Sequence, residues 1–377
     1  MKIKSIKCVP LRGATAKGGW SNELKPEDSL HTLIEVVTET GLTGIGSVFT
    51  SSDLVEGSLQ ILNPLFIGES ALEGQRLREC AEQSQFWRGR GGAITHTLSG
   101  IDIALWDILG KSTNQSVGVL LGGKYRNKIK PYASLLFEVP EKLEAVMQPA
   151  LESGFKGIKL GWGLFGRQSS KMDEAMVKKA REILGDRSLM VDAGGSDGCW
   201  PNTYKWAINT ADMLKDYGVD WFEEPLRPDD IFSYKKLREH SRVPISGCEV
   251  LTRRQSFLPW ITEGAVDYIQ PDVTKVGGIS EQHKIAWYAY DFGIECIPHG
   301  WNTAVGLAAD LQLVSAIPTA NWVEYMRGNP YIDDLWLNTP KIDADGYLDI
   351  PNEPGLGINW NYDNIEKFSG ILLKENY

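Results

Sequence analysis

Cysteine is scarce in this sequence and shows no motif spacing. The 377 residues contain five cysteines, and none of them belongs to a CxxC pair. An odd and dispersed set in a chain of this length is typical of reduced thiols rather than of a disulfide framework. We therefore expect no disulfides and a cytoplasmic location. The five are Cys8, Cys80, Cys199, Cys248 and Cys296.

Long apolar runs and an excess of positive charge are also missing. No segment approaches the ~20 consecutive apolar residues of a membrane-spanning helix, and Met1-Lys2-Ile3-Lys4 leads into no signal-peptide pattern. Asp and Glu number 49 against 39 Lys and Arg, which gives a formal net charge of -10. Nucleic acid and anionic membranes bind basic surfaces. We therefore expect neither of them as a partner.

The composition is that of an ordinary globular protein, and the first part of the chain has the pattern of strands followed by helices. Apolar residues make up 42% and charged residues 23% of the chain. Residues 30–50 have the pattern of a β-hairpin with a turn at Thr40-Gly41, and helical patterns follow at about 53–85 and 94–112. Strands followed by helices without alternation predict a separate α+β domain over residues 1–125.

From residue 126 onward, short apolar strands alternate with helices that end at glycine. The predicted strands end at residues 159, 192, 223, 249, 272, 299 and 324, which are 23 to 33 residues apart. This period fits one parallel strand plus one helix per unit. With one more strand predicted at 129–134, eight strands over ~200 residues favour a (β/α) barrel over an open sheet. We predict the barrel at 126–345 and a tail that packs back on the first domain at 346–377.

Ionisable residues occupy the ends of seven consecutive predicted strands. In a barrel, the carboxyl ends of all strands open at one mouth, where catalysis takes place. Five of these residues are acids, and so many carboxylates on one rim repel each other unless a cation holds some of them. Asp192, Glu223 and Glu249 end adjacent strands and offer three hard oxygen ligands, which suits Mg²⁺. Zinc fits less well because no Cys or His shares this group.

Two further strand ends form a candidate acid/base pair, and a third carries a lysine. His299 ends one predicted strand and Asp272 ends the preceding one. A carboxylate beside an imidazole orients it and raises its basicity, so the pair is suited to moving a proton. Lys159 stands in an otherwise apolar strand, where an ammonium is costly unless it reaches a polar centre. We therefore include Lys159 among the candidate functional residues.

These residues, in this order and with their flanking segments, resemble the enolase superfamily, specifically its mandelate racemase/muconate lactonizing enzyme-like branch. The resemblance covers nearly the whole chain. It rests on the segment 97–107 with Gly110-Lys111 and Leu120-Leu121-Gly122-Gly123, Val191-Asp192-Ala193, Trp221-Phe222-Glu223-Glu224-Pro225, Gly247-Cys248-Glu249, Gln270-Pro271-Asp272 and Pro298-His299-Gly300. It implies an α/β fold: a modified TIM barrel, (β/α)7β, with an N-terminal α+β capping domain.

The resemblance also implies the chemistry, which is abstraction of a proton α to a carboxylate to give an enediolate that a metal stabilises. It implies Mg²⁺ bound by the three acids named above, an acid/base His299 supported by Asp272, and Glu324 near the substrate carboxylate. The implied partners are a small sugar acid and, in a homo-oligomer, further copies of the chain. Candidate substrate contacts are Trp301 and Asn302, just past His299, and Trp20, in the region of the capping loops.

Two departures from the family pattern narrow the reaction. Where members often have Lys-x-Lys on the second strand, this sequence has Lys159-Leu160-Gly161, so the base for one face of the substrate is absent. A racemase needs a proton acceptor on each face, whereas a dehydratase can use His299 as both base and acid. Lys159 would then serve as an electrostatic or substrate-binding cation. Where an Asn often stands two residues after the first metal ligand, this sequence has Gly194.

The leading hypothesis is therefore a Mg²⁺-dependent dehydratase of an aldonate or aldarate that forms a 2-keto-3-deoxy acid. The alternatives are a sugar-acid cycloisomerase or epimerase of the same branch and a non-catalytic binding protein on this fold. The sequence leaves open which sugar acid, and which stereoisomer of it, is the substrate. Residues 161–166 also match GxGxxG, but the bulky Trp162 and Phe165 disfavour a dinucleotide site.

Overall fold

The N-terminal part of the protein is a three-stranded antiparallel sheet covered by helices. The computed structural model describes residues 1–19, 24–326 and 328–373. The strands are β1 (Ile3–Pro10), β2 (His31–Thr38) and β3 (Thr43–Phe49), and the helices are α1 (Ser52–Phe66), α2 (Gly74–Ser84), α3 (Gly92–Thr113) and α4 (Val117–Leu120). The predicted hairpin is confirmed as β2 and β3. The helical pattern at 53–85 forms two helices rather than one.

The longest of these helices, α3, packs directly on the sheet because two glycines of β3 leave room for its backbone. A Cβ at Gly46 would lie 1.8 Å from the carbonyl oxygen of Gly100, and one at Gly44 would lie 2.1 Å from that of Ala104. Apolar side chains from all three strands and from α1 to α3 form the core around this contact. The sheet is thereby fixed, and β3 ends at Phe49, beside the mouth of the second domain.

Eight parallel strands and seven helices alternate through the next part of the chain, which is a (β/α)7β barrel. The strands are β4 (Lys128–Leu136), β5 (Gly157–Gly161), β6 (Ser188–Asp192), β7 (Phe222–Glu223), β8 (Ile245–Gly247), β9 (Tyr268–Ile269), β10 (Glu295–Cys296) and β11 (Trp322–Tyr325). The helices are α5 (Pro140–Glu152), α6 (Ser170–Leu184), α7 (Tyr204–Asp216), α8 (Ile231–His240), α9 (Arg253–Thr262), α10 (Ile279–Asp291) and α11 (Ala304–Ser315). Neighbouring strands follow the order β10-β9-β8-β7-β6-β5-β4-β11. The predicted fold class is confirmed.

Side chains link the two ends of that strand order. Asn321, just before β11, donates from its backbone N–H and from its side-chain amide to the Glu295 carboxylate of β10, at 2.9 and 3.0 Å. At the mouth, the N–H of Gly300 donates to Glu324 Oε2 at 2.7 Å. These bonds join β10 to β11, so the carboxyl ends of the strands surround one mouth.

The C-terminal segment contacts both the barrel and the cap. It contains α12 (Pro330–Asp333), β12 (Leu348–Asp349) and α13 (Tyr362–Ser369), and β12 pairs antiparallel with β4. Gly355 accepts a hydrogen bond from the Val117 N–H, and Phe368 accepts one from the Arg12 N–H, each at 3.0 Å. None of the described helices is long and apolar enough to cross a membrane.

A buried ion-pair network joins the cap to the barrel. Arg78 of α2 is only 1% exposed, and its guanidinium lies 2.5 Å from Glu82 and 2.7 Å from Glu281 of α10. Glu281 also pairs with Arg254 at 2.5 Å, and Glu82 pairs with Arg253, both at the start of α9. Arg253 follows Glu249 by four residues, so this network ties the cap close to one edge of the candidate site.

We expect Arg78→Met to lower the free energy of unfolding by about 3 kcal/mol, because it removes the most deeply buried cation of the network and leaves Glu82 and Glu281 with one fewer partner each. Arg76→Met on the same helix is the matched control. Arg76 is half exposed and pairs with Glu69 and Glu73 on the surface, where loss of an ion pair costs less than about 1 kcal/mol. Urea unfolding followed by circular dichroism measures both changes, and equal effects of the two substitutions would contradict the assignment.

Candidate active site

Three buried carboxylates lie together at the barrel mouth. Asp192 ends β6, Glu223 ends β7, and Glu249 lies two residues after β8. One oxygen from each lies within 4.8 Å of the others. Burial, and then the charge of Glu223, raise the pKa of Asp192 well above its usual value. Three buried oxygen donors that repel each other, without Cys or His among them, fit a hard divalent cation such as Mg²⁺, which these residues would hold.

Hydrogen-bond donors orient two of these three carboxylates. The indole Nε1 of Trp162 donates to Asp192 Oδ2 at 3.0 Å. Glu223 Oε2 accepts from Trp221 Nε1 at 2.9 Å and from Gln270 Nε2 at 2.8 Å. Such outer partners fix the orientation of metal-binding carboxylates. The sequence analysis did not predict a role for any of the three donors.

Trp162 accounts for one of the two departures from the family pattern, the glycine at position 194, and Asp192 crowds the other, Gly161. Trp162 has a positive φ of 56°, and its ring atoms would lie 2.6 Å from a Cβ placed on Gly194. A Cβ on Gly161 would lie 3.0 Å from Asp192 Cβ and Oδ2. The indole therefore occupies the space that a side chain at 194 would need. The GxGxxG match forms the turn that carries this indole.

We expect Trp162→Phe to weaken Mg²⁺ binding by about tenfold, because the variant loses the hydrogen bond to Asp192 and keeps most of the ring. Trp260→Phe is the matched control, since Trp260 is a buried tryptophan of α9 that packs on Tyr234. Isothermal titration calorimetry of both variants measures the difference. Equal Mg²⁺ affinities would exclude a role for Trp162 in orienting the ligand.

His299 and Asp272 form the predicted dyad. His299 Nδ1 lies 2.8 Å from Asp272 Oδ2, and Nε2 lies 3.3 Å from Glu249 Oε2. Burial disfavours the imidazolium, but the charge of Glu249 and the hydrogen bond with Asp272 raise the pKa of His299 to about 9. Burial also opposes ionisation of Asp272, but Lys275 and His299 lower its pKa to about 2. Asp272 therefore stays ionised and directs Nε2 toward the three carboxylates.

Lys159 is held as a cation. Its Nζ lies 2.5 Å from Glu223 Oε1, 3.0 Å from Glu324 Oε1 and 3.9 Å from Asp192 Oδ2. Although burial opposes the charge, Glu223 and Glu324 raise the pKa of Lys159 well above its usual value. Burial likewise opposes ionisation of Glu324, but Lys159 lowers the pKa of Glu324 to about 2. Lys159 is thus an electrostatic group rather than a proton acceptor.

A cavity of about 400 Å³ opens above these groups. Trp301 lines it, as predicted for a substrate contact, although that role itself stays a prediction. Asn302 does not line it: its side chain is fully buried against Gly306, so this geometry gives no support to the predicted contact. Trp20 lies outside the described residues. Lys275, which the sequence analysis did not single out, does line the cavity.

Comparison with known proteins gives the family. Residues 27–122 match the model of the mandelate racemase / muconate lactonizing enzyme N-terminal domain, and residues 142–364 match the model of the enolase C-terminal domain-like family. The chain therefore belongs to the enolase superfamily, in its mandelate racemase/muconate lactonizing enzyme branch. The family predicted from the motifs is confirmed.

Individual relatives include enzymes of two reaction types. The chain is 30% identical to D-galactarolactone cycloisomerase of Agrobacterium fabrum over 98% of this chain and 99% of the relative. It is 32% identical to arabinonate dehydratase of Saccharolobus solfataricus over 86% of each. It superposes with a TM-score of 0.86 on the crystal structure of the 3,6-anhydro-D-galactonate cycloisomerase from Zobellia galactanivorans, which is 29% identical over 98% of this chain and 99% of that one. Architecture alone therefore does not select between dehydration and cycloisomerisation.

Proposed function

We propose that the protein is a Mg²⁺-dependent dehydratase of an aldonate or aldarate, with a 2-keto-3-deoxy acid as product. The observation that carries the proposal is the dyad of His299 and Asp272, in which His299 Nε2 lies 3.3 Å from Glu249 of the three carboxylates. Gly161 occupies the position where family members often have a second base, and the nearby Lys159 forms ion pairs with Glu223 and Glu324. The similarity to arabinonate dehydratase supports the same reaction.

One residue suffices for both proton transfers of this reaction. In its neutral form, His299 takes the proton from the carbon α to the carboxylate at Nε2, and its Nδ1–H stays bonded to Asp272. The bond from the β-carbon to its hydroxyl oxygen then breaks, and protonated His299 gives its proton to that oxygen, which leaves as water. The resulting enol tautomerises to the 2-keto-3-deoxy acid. When bound, Mg²⁺ would supply Lewis-acid stabilisation of the negative charge on the substrate carboxylate.

Lys159 and Glu324 serve binding and charge balance in this scheme. The ammonium of Lys159 lies below the mouth, within 3.9 Å of Asp192, Glu223 and Glu324. It offsets part of their negative charge and so reduces the repulsion of an anionic substrate. Glu324 is fixed by the N–H of Gly300 at 2.7 Å and would face the substrate as a hydrogen-bond acceptor.

The second candidate is a sugar-acid cycloisomerase. The similarity to D-galactarolactone cycloisomerase, which aligns over 98% of this chain, favours it. It shares the first step, abstraction of the α proton, with the dehydratase. The two differ in the leaving group on the β-carbon, which is a hydroxyl in dehydration and a ring oxygen in ring opening. An epimerase would instead return a proton to the same carbon, and solvent deuterium would enter the substrate without loss of water.

The test is a screen of pentonic, hexonic and aldaric acids, and of their lactones and anhydro forms, with the enzyme and MgCl₂. Formation of 2-keto acid from an open-chain acid supports the dehydratase. Product from the cyclic forms alone would favour the cycloisomerase. No turnover of any acid, with Mg²⁺ binding retained, would overturn the proposal and favour a binding protein.

A further inference from the structure

Lys275 is a second buried lysine at the mouth. It lies in the segment after β9, is 5% exposed and lines the cavity together with His299 and Trp301. Its Nζ lies 4.1 Å from the centre of the Phe49 ring, which the cap contributes through the end of β3. A cation over an aromatic face is attracted by the ring. The cap thus covers one side of the ammonium and leaves it open to the cavity.

The ammonium has no hydrogen-bond partner among the residues that the structure describes. The nearest carboxylate oxygen, Asp272 Oδ2, lies 3.8 Å away, which is beyond hydrogen-bond distance. Both Asp272 oxygens already accept other bonds, because Oδ2 accepts from His299 at 2.8 Å and Oδ1 accepts from the N–H and hydroxyl of Thr274 at 2.7 and 2.6 Å. Lys275 is therefore not held by the dyad in the way that Lys159 is held by Glu223 and Glu324.

The groups that face Lys275 from the cap do not balance its charge. His31 is buried and His96 is half-buried, and burial, together with the charge of Lys275, lowers their pKa values to about 3 and about 4. Both are therefore neutral at physiological pH. A buried ammonium with three free donors is costly unless an anion satisfies them. The cavity is the open side from which such an anion can approach.

We propose that Lys275 binds a carboxylate oxygen of the substrate, beside the atom on which His299 acts. This rests on the proposed function only for the identity of the ligand as a sugar acid. A carboxylate carbon is directly bonded to the α-carbon, so an ammonium next to the dyad can reach the carboxylate while His299 reaches the α proton. Lys275 would then fix the orientation of the substrate and offset its charge.

The experiment measures binding of 2-hydroxyisobutyrate, which carries a carboxylate and an α-hydroxyl but has no α proton to lose. Isothermal titration calorimetry with the Mg²⁺-loaded full chain compares wild type, Lys275→Met and Lys275→Arg. A charge-assisted hydrogen bond predicts that Lys275→Met raises Kd by at least about tenfold, and Lys275→Arg keeps part of the affinity. Lys205→Met, on the exposed side of α7, should leave Kd unchanged.

The same titration separates this inference from the proposed function. If wild type and Lys275→Met bind the probe equally, the role of Lys275 is wrong, whether or not the protein is a dehydratase. If the sugar-acid screen fails but Lys275→Met still weakens the probe, the carboxylate site stands and the reaction must be reassigned. If Lys275→Met does not fold, Lys275→Gln repeats the comparison as a second neutral variant. An Mg²⁺ affinity of the variant equal to that of wild type excludes an indirect effect through the metal site.

Discussion

Replacing His299 with alanine is expected to lower kcat by at least about 1000-fold while Mg²⁺ binding is retained. General acid/base catalysis contributes about 100- to 10,000-fold per proton transfer, and here one imidazole performs both transfers. Lys159 cannot replace it, because Glu223 and Glu324 keep the ammonium protonated. Steady-state kinetics on the best substrate from the screen measures the loss, and calorimetry measures Mg²⁺ binding.

The matched control is His240→Ala, since His240 is exposed at the end of α8 and bonds only to the Lys236 carbonyl among the described residues. It should retain full activity. Asp272→Asn tests the second member of the dyad, because the amide keeps the size of the carboxylate and removes its charge. If His299→Ala kept more than about a tenth of the activity, the dyad would not be the catalytic pair.

Loss of the metal ligands is expected to have an effect of similar size. Asp192→Asn and Glu249→Gln each remove one of three ligand charges, so both should abolish measurable turnover and the rise in Tm that MgCl₂ gives to the wild type. Binding at 100 times Kd stabilises a folded protein by about 2.7 kcal/mol. Differential scanning calorimetry with and without MgCl₂ measures this shift.

Comparing the two variants also distinguishes loss of the metal from disturbance of the dyad of His299 and Asp272. Glu249 lies 3.3 Å from His299 Nε2, whereas Asp192 is held by Trp162 on the other side. If the metal is required, both variants lose activity. Glu263→Gln, at an exposed residue paired with Lys235, is the control and should keep both activity and the Mg²⁺-dependent Tm. A fully active Asp192→Asn variant would contradict the assigned site.

Sequence predicted the mouth of the barrel well because parallel strands end at one edge. The spacing of the strand ends was enough to bring Asp192, Glu223 and Glu249 together, and each occurs near the end of its strand in the structure. The strands themselves are shorter than predicted. Strands β9 and β10 end at Ile269 and Cys296, and beyond their ends the backbones of Asp272 and His299 pair through an isolated bridge.

The sequence did not predict the residues whose role depends on contacts between distant segments. Lys275 follows Asp272 by three residues, but its environment depends on Phe49, which comes from the cap. In the sequence, the bulk of Trp162 disfavours a nucleotide site, whereas in the structure its indole donates a hydrogen bond to Asp192, 30 residues away. Asn302 is a predicted substrate contact, and it lies just before α11 with its side chain packed against Gly306, so the contact stays a prediction.

The most direct test of the central claim is ¹H NMR of the reaction in D₂O with MgCl₂, at partial conversion of the best open-chain sugar acid. The account predicts that wild type forms the 2-keto-3-deoxy acid and that His299→Ala forms none. Deuterium at the α-carbon of recovered substrate, or an epimer, with no 2-keto acid would contradict dehydration. Equal product from His299→Ala would contradict the assigned acid/base residue.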